Sequence, residues 1–214
     1  MKRRCVLAAN GNWENVQWHV QQLQKHAHDF LVGIDGGAEH LCRLGRVPDL
    51  VVGDLDSLAP AVVQELKTAG CEFIVYPAEK DLTDTQIALE LVKQRGFQDI
   101  LLLGALGDRL DHLLSNLFSL VPLVQAGLRI KLASPEHSLW LVPNEVTIIG
   151  RPGQVVSLLA LTSVAGVTTT GLKYPLHDAN LDPFHPYAIS NEMVGNQAKV
   201  SWGQGVLLVY LPEG

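Results

Sequence analysis

Cysteine is scarce and unpatterned in this chain. Cys5, Cys42 and Cys71 are an odd three, far apart and without Cys-x-x-Cys spacing, so neither a disulfide scaffold nor a zinc site follows. The eight histidines add no metal signature, since His26 and His28 stand two apart in a helical stretch and do not face each other. Basic charge is also short: 16 Lys and Arg against 22 Asp and Glu leave a net charge of −6, which argues against a nucleic-acid partner. Long apolar runs are missing, and stretches such as Ile100–Leu103 and Val155–Leu161 are too short to cross a bilayer. Met1-Lys2-Arg3-Arg4 resembles a signal-peptide start, but Asn10-Gly11-Asn12 interrupts the apolar stretch too early for one. The expectation is a cytoplasmic protein with no membrane partner. Gly-x-x-x-x-Gly-Lys-Ser/Thr and Gly-x-Gly-x-x-Gly are both absent. If a nucleotide binds, a divalent cation and scattered basic groups must hold its phosphates. Internal repeats and low-complexity tracts are missing as well.

What is present is enough apolar residue, 47%, to bury a core. Apolar strands alternate with helical patterns up to about Ala133. The strands are Arg4–Ala9, Phe30–Ile34, Leu50–Gly53, Cys71–Val75, Ile100–Leu103 and Leu128–Ala133. Between them run Val16–Ala27, with Val16, Val20, Leu23 and Ala27 as its apolar face, then Ala38–Leu44, Pro60–Ala69, Thr83–Gln94 and Arg109–Val124. Near-continuous apolar strands alternating with helices predict a parallel sheet covered on both faces. From Ser134 onward only short β-type runs remain, separated by Gly, Pro and Asn. The fold class is therefore α/β: a parallel-sheet, Rossmann-like α/β domain over residues 1–134, then an all-β sandwich domain over 135–214.

Acids collect where the predicted strands end. Residues 29–111 hold 15 of the 22 acids but 7 of the 16 bases, a local balance of −8. Asp54 and Asp56 stand two apart after Gly53, on one side of an extended chain and roughly 6–7 Å apart. Asp81 and Asp84 stand three apart at a helix start, where that spacing shares a face. With Asp35 they can converge on one point, and convergent carboxylates call for a cation, for which Mg²⁺ carrying phosphates is the natural candidate. The Asp54 pair would equally serve as an Asx turn before Pro60. Lys80 sits in the same loop as a candidate phosphate contact. A third cluster, Gly104–His112, offers glycines for close backbone approach, a helix N-terminus, the Arg109 fork, Asp111 and His112.

Six stretches together resemble the thiamine pyrophosphokinase family: Asp35–Ala38, Gly53–Ser57, Lys80–Asp84, Gly107–His112, Thr168–Tyr174 and Ile189–Asn191. The resemblance implies transfer of a pyrophosphoryl group from ATP to thiamine, giving thiamine diphosphate and AMP. It implies Mg²⁺ on Asp54, Asp56 and Asp84, with Arg109 and Asp111 as the phosphate-contacting and substrate-activating pair. Asp35, Gly36, Lys80, Thr83, Gly107 and His112 would line the nucleotide side, and Ser190 and Asn191 the thiamine side. A homodimer with thiamine between subunits is implied too. Ala105 and Asp108 replace expected glycines, and the residues after Asn191 are Glu192-Met193-Val194, without an aromatic to stack on thiamine. The rival readings are a pyrophosphokinase acting on a hydroxymethyl pterin and a non-catalytic Mg²⁺–nucleotide module.

Overall fold

The computed structural model describes residues 3–24, 28–77, 81–107 and 109–213. Lys80, Asp108 and Ala27, each singled out above, lie outside the described residues. The chain divides into two compact units, residues 1–116 with 133–135, and residues 117–132 with 136–214.

In the first unit β1 (Cys5–Ala8), β2 (Phe30–Ile34), β3 (Leu50–Gly53), β4 (Glu72–Val75) and β5 (Asp99–Leu103) alternate with α1 (Val16–Gln24), α2 (Gly37–Arg43), α3 (Pro60–Thr68) and α4 (Asp84–Gln94). The strands lie in the order β4-β3-β2-β1-β5 and every pair is parallel. All four residues of β1 are fully buried, as are Val32, Val51 and Leu102. This is why the sequence shows unbroken apolar runs rather than alternation. Register sets the position of the site. Ala8 pairs with both Gly33 and Leu103, so β1, β2 and β5 end level and release their loops at one edge. The strand order also reverses here, since the chain works outward from β1 to β4 and then returns to the other side of β1 for β5. Ligands of open parallel sheets bind in the crevice at such a reversal.

One expectation needs correction. Val16 was placed on the apolar face of α1, but it is 53% exposed, and the buried residues are His19, Gln22 and Leu23. The helix is turned by polar contacts. His19 stacks on Trp13 with ring centroids 4.3 Å apart, and the Arg4 guanidinium donates to the Gln22 carbonyl while pairing with buried Asp29.

The second unit contains most of α5 (Leu110–Gln125) and β6 (Arg129–Ala133), then β7 (His137–Leu141), β8 (Glu145–Ile149), β9 (Val155–Ala160), β10 (Val164–Thr170), β11 (Ala179–Leu181), β12 (Asn191–Glu192), β13 (Gln197–Ser201) and β14 (Leu207–Pro212). One sheet runs β12-β9-β14-β7-β6 and the other β11-β10-β13-β8. The two inner faces meet in one core that includes Ile148, Val167 and Val200 from one sheet and Val156, Leu158 and Val209 from the other. β8 shows the pattern plainly, with Val146 and Ile148 buried and Glu145, Thr147 and Ile149 exposed, the two-residue period of a half-covered strand. β11 and β12 were not foreseen, being three and two residues long and too short to carry a period.

Candidate functional site

A cavity of about 790 Å³ opens at the level ends of β1, β2 and β5. Its walls are the loop Ala9–Asn12 after β1, Asp35 after β2, Thr83–Thr85 at the start of α4, Gly104, Ala105 and Gly107 after β5, and Arg109 to Asn116 along the first turns of α5. Backbone crowding makes glycine necessary at its floor. A Cβ on Gly11 would lie 2.1 Å from the Gly104 carbonyl oxygen, so the two loops touch through bare backbone. Gly104 itself has φ +69 and meets the Ala9 carbonyl.

Asp35 is the acid driven deepest into this wall. It adopts φ 47, a left-handed conformation Asp tolerates better than most residues, and its N–H donates to the Val52 carbonyl at 3.0 Å. Its Oδ1 is the one buried side-chain oxygen among the described residues with no hydrogen-bond partner. Burial pushes its carboxyl up to about 7. The charge of Asp84, a hydrogen bond shared with Asp84 and the charge of Asp54 push the same way. Asp56 is raised too, by a hydrogen bond with Asp54 and by the charge of Asp54. Asp35 and Asp56 are thus pressed toward their protonated forms, in part by the carboxylates beside them.

The Asx-turn reading of Asp54 also holds, since its Oδ1 accepts the Asp56 N–H at 3.1 Å. Leu55, between them, has φ 67, a conformation that costs a γ-branched residue energy and that clusters at functional sites. Asp54 and Asp56 do not line the cavity itself; Asp54 acts on Asp35 in its wall, and Asp56 is tied to Asp54. No three His, Cys, Asp or Glu side chains among the described residues close into a ready-made metal cage.

The remaining expected residues fall into distinct settings. Asp84 opens α4 behind Thr83, whose hydroxyl accepts the Gln86 N–H at 3.2 Å while the Gln86 side chain accepts the Thr83 N–H at 2.8 Å. This capping box aims the first turn of α4 at the cavity. Arg109 and Asp111 form a two-pronged pair, Nε to Oδ1 at 3.2 Å and Nη2 to Oδ2 at 2.6 Å, with both side chains exposed. The guanidinium holds the Asp111 carboxyl below its usual range, which suits a group that orients a hydroxyl better than one that takes its proton. Gly107 and His112 line the cavity. Gly36 does not; it packs under the Asn10 side chain, where a Cβ would meet Oδ1 at 2.4 Å. Asp81 lines a separate groove with Tyr76 and Leu82. In the second unit, Ser190 is exposed with φ 56 and Asn191 is buried.

Asn10, Gly11, Asn12, Thr85, Ser115 and Asn116 line the cavity without having been expected there, and Ala105, noted above in place of a glycine, lines it too. Two signals could have found them. Asn10–Asn12 follow the first strand at the edge that carries the acids, and Ser115 and Asn116 lie four residues beyond Asp111 and His112 on the same helix face.

Comparison with known proteins agrees along the whole chain. The thiamin pyrophosphokinase catalytic domain matches residues 20–132, and the thiamin pyrophosphokinase vitamin B1 binding domain matches residues 142–207. Thiamine pyrophosphokinase of Bacillus subtilis (strain 168) is 28% identical over 185 residues, covering 85% of this chain and 86% of that protein. The crystal structure of a thiamin pyrophosphokinase family protein from Enterococcus faecalis is 30% identical with a TM-score of 0.79 and covers 100% of both chains. That of thiamin pyrophosphokinase from Geobacillus thermodenitrificans is 28% identical, with a TM-score of 0.80 over 99% of this chain and 98% of that one. This chain belongs to the thiamin pyrophosphokinase family.

Proposed function

We propose that the chain transfers the pyrophosphoryl group of ATP to the hydroxyl of thiamine, with Mg²⁺, releasing AMP and thiamine diphosphate. The observation that supports it most is Asp35, whose carboxyl feels the charges of Asp84 and Asp54 and keeps a buried, unpartnered Oδ1, in the wall of a cavity large enough for a nucleotide. Asp54, Asp56 and Asp84 would hold Mg²⁺, with Asp35 supporting them, and the ion when bound would neutralise charge on the phosphate oxygens. The chain's own groups position the reactants. The turns at Gly11, Gly104 and Gly107 let phosphates approach backbone, and the first turns of α4 and α5 turn their N–H groups and partial positive charge toward them.

In the reaction the alcohol oxygen bonds to the β-phosphorus and gives up its proton to solvent, while the bond from the β-phosphorus to the bridging oxygen breaks and that oxygen leaves with AMP. Catalysis of this kind is positioning and charge stabilisation. Arg109 meets the charge that gathers on the transferring group, releasing part of its grip on Asp111 to do so. Asp111 then orients the attacking hydroxyl. The test is nucleotide product analysis on purified protein with ATP, Mg²⁺ and thiamine. AMP should form in step with thiamine diphosphate. ADP with thiamine monophosphate would remove the pyrophosphoryl assignment, a hydroxymethyl pterin turned over in place of thiamine would favour the rival kinase, and nucleotide binding without AMP would favour a regulatory module.

The assembly is a homodimer in this reading, with each site drawing its acids from one protomer and Ser190-Asn191 from its partner, as two-fold symmetry permits. Light scattering on the purified protein should give twice the chain mass of 23.3 kDa; a single-chain mass at working concentration would remove the shared-site arrangement.

A further inference from the structure

The loop after β1 is held at both ends. The Ala9 N–H donates to the Leu103 carbonyl at 2.9 Å, and the Ala9 carbonyl accepts the Trp13 Nε1–H at 2.9 Å. The Trp13 ring is itself clamped by His19 and His40, with centroids 4.3 and 5.3 Å away. Within this frame the two loop asparagines differ. Asn12 is spent on the turn, its Oδ1 accepting the Glu14 N–H at 2.8 Å. Asn10 lines the cavity, and no hydrogen bond among the described residues engages its side chain. What places it is Gly36. A Cβ on Gly36 would lie 2.4, 2.5 and 2.6 Å from Oδ1, Cγ and Nδ2 of Asn10, so the whole amide rests across that bare Cα. The neighbouring Gly37 is bare for another reason. A Cβ there would lie 1.8 Å from the Ala8 carbonyl oxygen, so its absence lets α2 pack on β1. Gly36 has φ −56 and ψ −15, a conformation open to alanine. The backbone does not require glycine at 36; the Asn10 amide does.

We propose that Asn10 is a binding residue for the phosphate chain of the nucleotide, its amide NH₂ donating to a phosphate oxygen, and that Gly36 is a positioning residue acting through it. The inference rests on the pyrophosphokinase reading above. The cavity wall carries Asp35, Asp84 and Asp111, and the guanidinium of Arg109 is already paired with Asp111. A phosphate chain entering there needs donors. A neutral amide supplies two N–H groups without adding another carboxylate and without losing them as pH changes. Gly36 also gains a task, since it stands between Asp35 and the first turn of α2 yet does not line the cavity.

Two measurements test it on purified wild type, Asn10→Ala, Asn10→Asp, Gly36→Ala and the Asn10→Ala/Gly36→Ala double variant. One is steady-state AMP release across ATP concentrations at saturating thiamine, and the other is calorimetric binding of a non-hydrolysable ATP analogue with Mg²⁺. A wild type that binds the analogue but forms no AMP removes the underlying reading and leaves the binding comparison to judge Asn10. A wild type that binds no nucleotide overturns both. Asn10→Ala should weaken analogue binding roughly tenfold, the scale of one hydrogen bond to a charged acceptor. The ATP KM should rise by a similar factor, and the thiamine KM should not follow it. Asn10→Asp should bind more weakly still, because a carboxylate repels phosphate, whereas a ribose hydroxyl or a cation at that position would accept it. Gly36→Ala should weaken binding while melting within about 3 °C of wild type, since only a side chain has to move. The double variant should be no worse than Asn10→Ala alone, because both lesions remove one contact. Unchanged analogue affinity in Asn10→Ala or in Gly36→Ala, Asn10→Asp binding no more weakly than Asn10→Ala, or additive losses in the double variant would each overturn the proposal. The Asn10 variants change an exposed side chain, so they test the contact even if Gly36→Ala fails to fold.

Discussion

Asp54→Asn, Asp56→Asn and Asp84→Asn should each lose about 100-fold or more in kcat, the equivalent of about 2.7 kcal/mol in the barrier, while remaining folded. Each substitution keeps the side-chain shape and removes the charge that a hard cation requires. Direct binding provides a second readout. Mg²⁺ with a non-hydrolysable ATP analogue should raise the melting temperature of wild type, and much less that of the variants. In metal-free buffer Asp84→Asn should melt at or above wild type, because it relieves the like charge that presses on Asp35. These signs are opposite, and a merely structural role for Asp84 predicts a lower melting temperature in both buffers. Near-normal turnover in any two of the three variants would remove the metal reading.

Gly53→Ala should be as damaging, although no charge changes. Gly53 closes β3 at φ +150, and a Cβ there would sit 1.5 Å from Asp35 Oδ1. The backbone conformation alone costs of order 1–3 kcal/mol for a residue with a side chain, and the methyl displaces the carboxylate as well. In a chain of this size each kcal/mol shifts the melting temperature by about 2–4 °C, so a fall of roughly 5 °C or more is expected. Turnover should fall about as far as in the aspartate variants. Gly195→Ala is the matched control, since nothing lies within 4 Å of a Cβ at that position; its stability should stay within about 0.5 kcal/mol of wild type. Wild-type melting and turnover in Gly53→Ala would show that Asp35 is free to move and is not held by the end of β3.

The acids were legible before any coordinates because strand ends and acidic spacing are both local. Asp35, Asp54 and Asp84 follow apolar runs or open a helix, and their convergence required only that the strands be parallel. The role of Gly53 was not legible, because a glycine after an apolar run looks like any turn. Its meaning depends on Asp35, which is 18 residues away in sequence and beside it in the sheet. The face of α1 was misread for a related reason. Periodicity favours Val16, whereas His19 and Gln22 are buried by Trp13 and Arg4, partners that no helical period registers.

By itself the sequence determined the two-part architecture, the parallel strands, the acid cluster and the family, since each rests on residue type at short spacing or on motifs kept in order. Only the tertiary structure decided which residues meet. Strand order brought the loop after β1 beside the loop after β5 and so made Asn10–Asn12 part of the cavity. The pairing of segments 171–174 and 191–194 turned Asn191 inward and Tyr174 outward. A side chain's chemistry is carried by its own residue, but the direction in which it points is set by hydrogen bonds to segments that sequence spacing does not reveal.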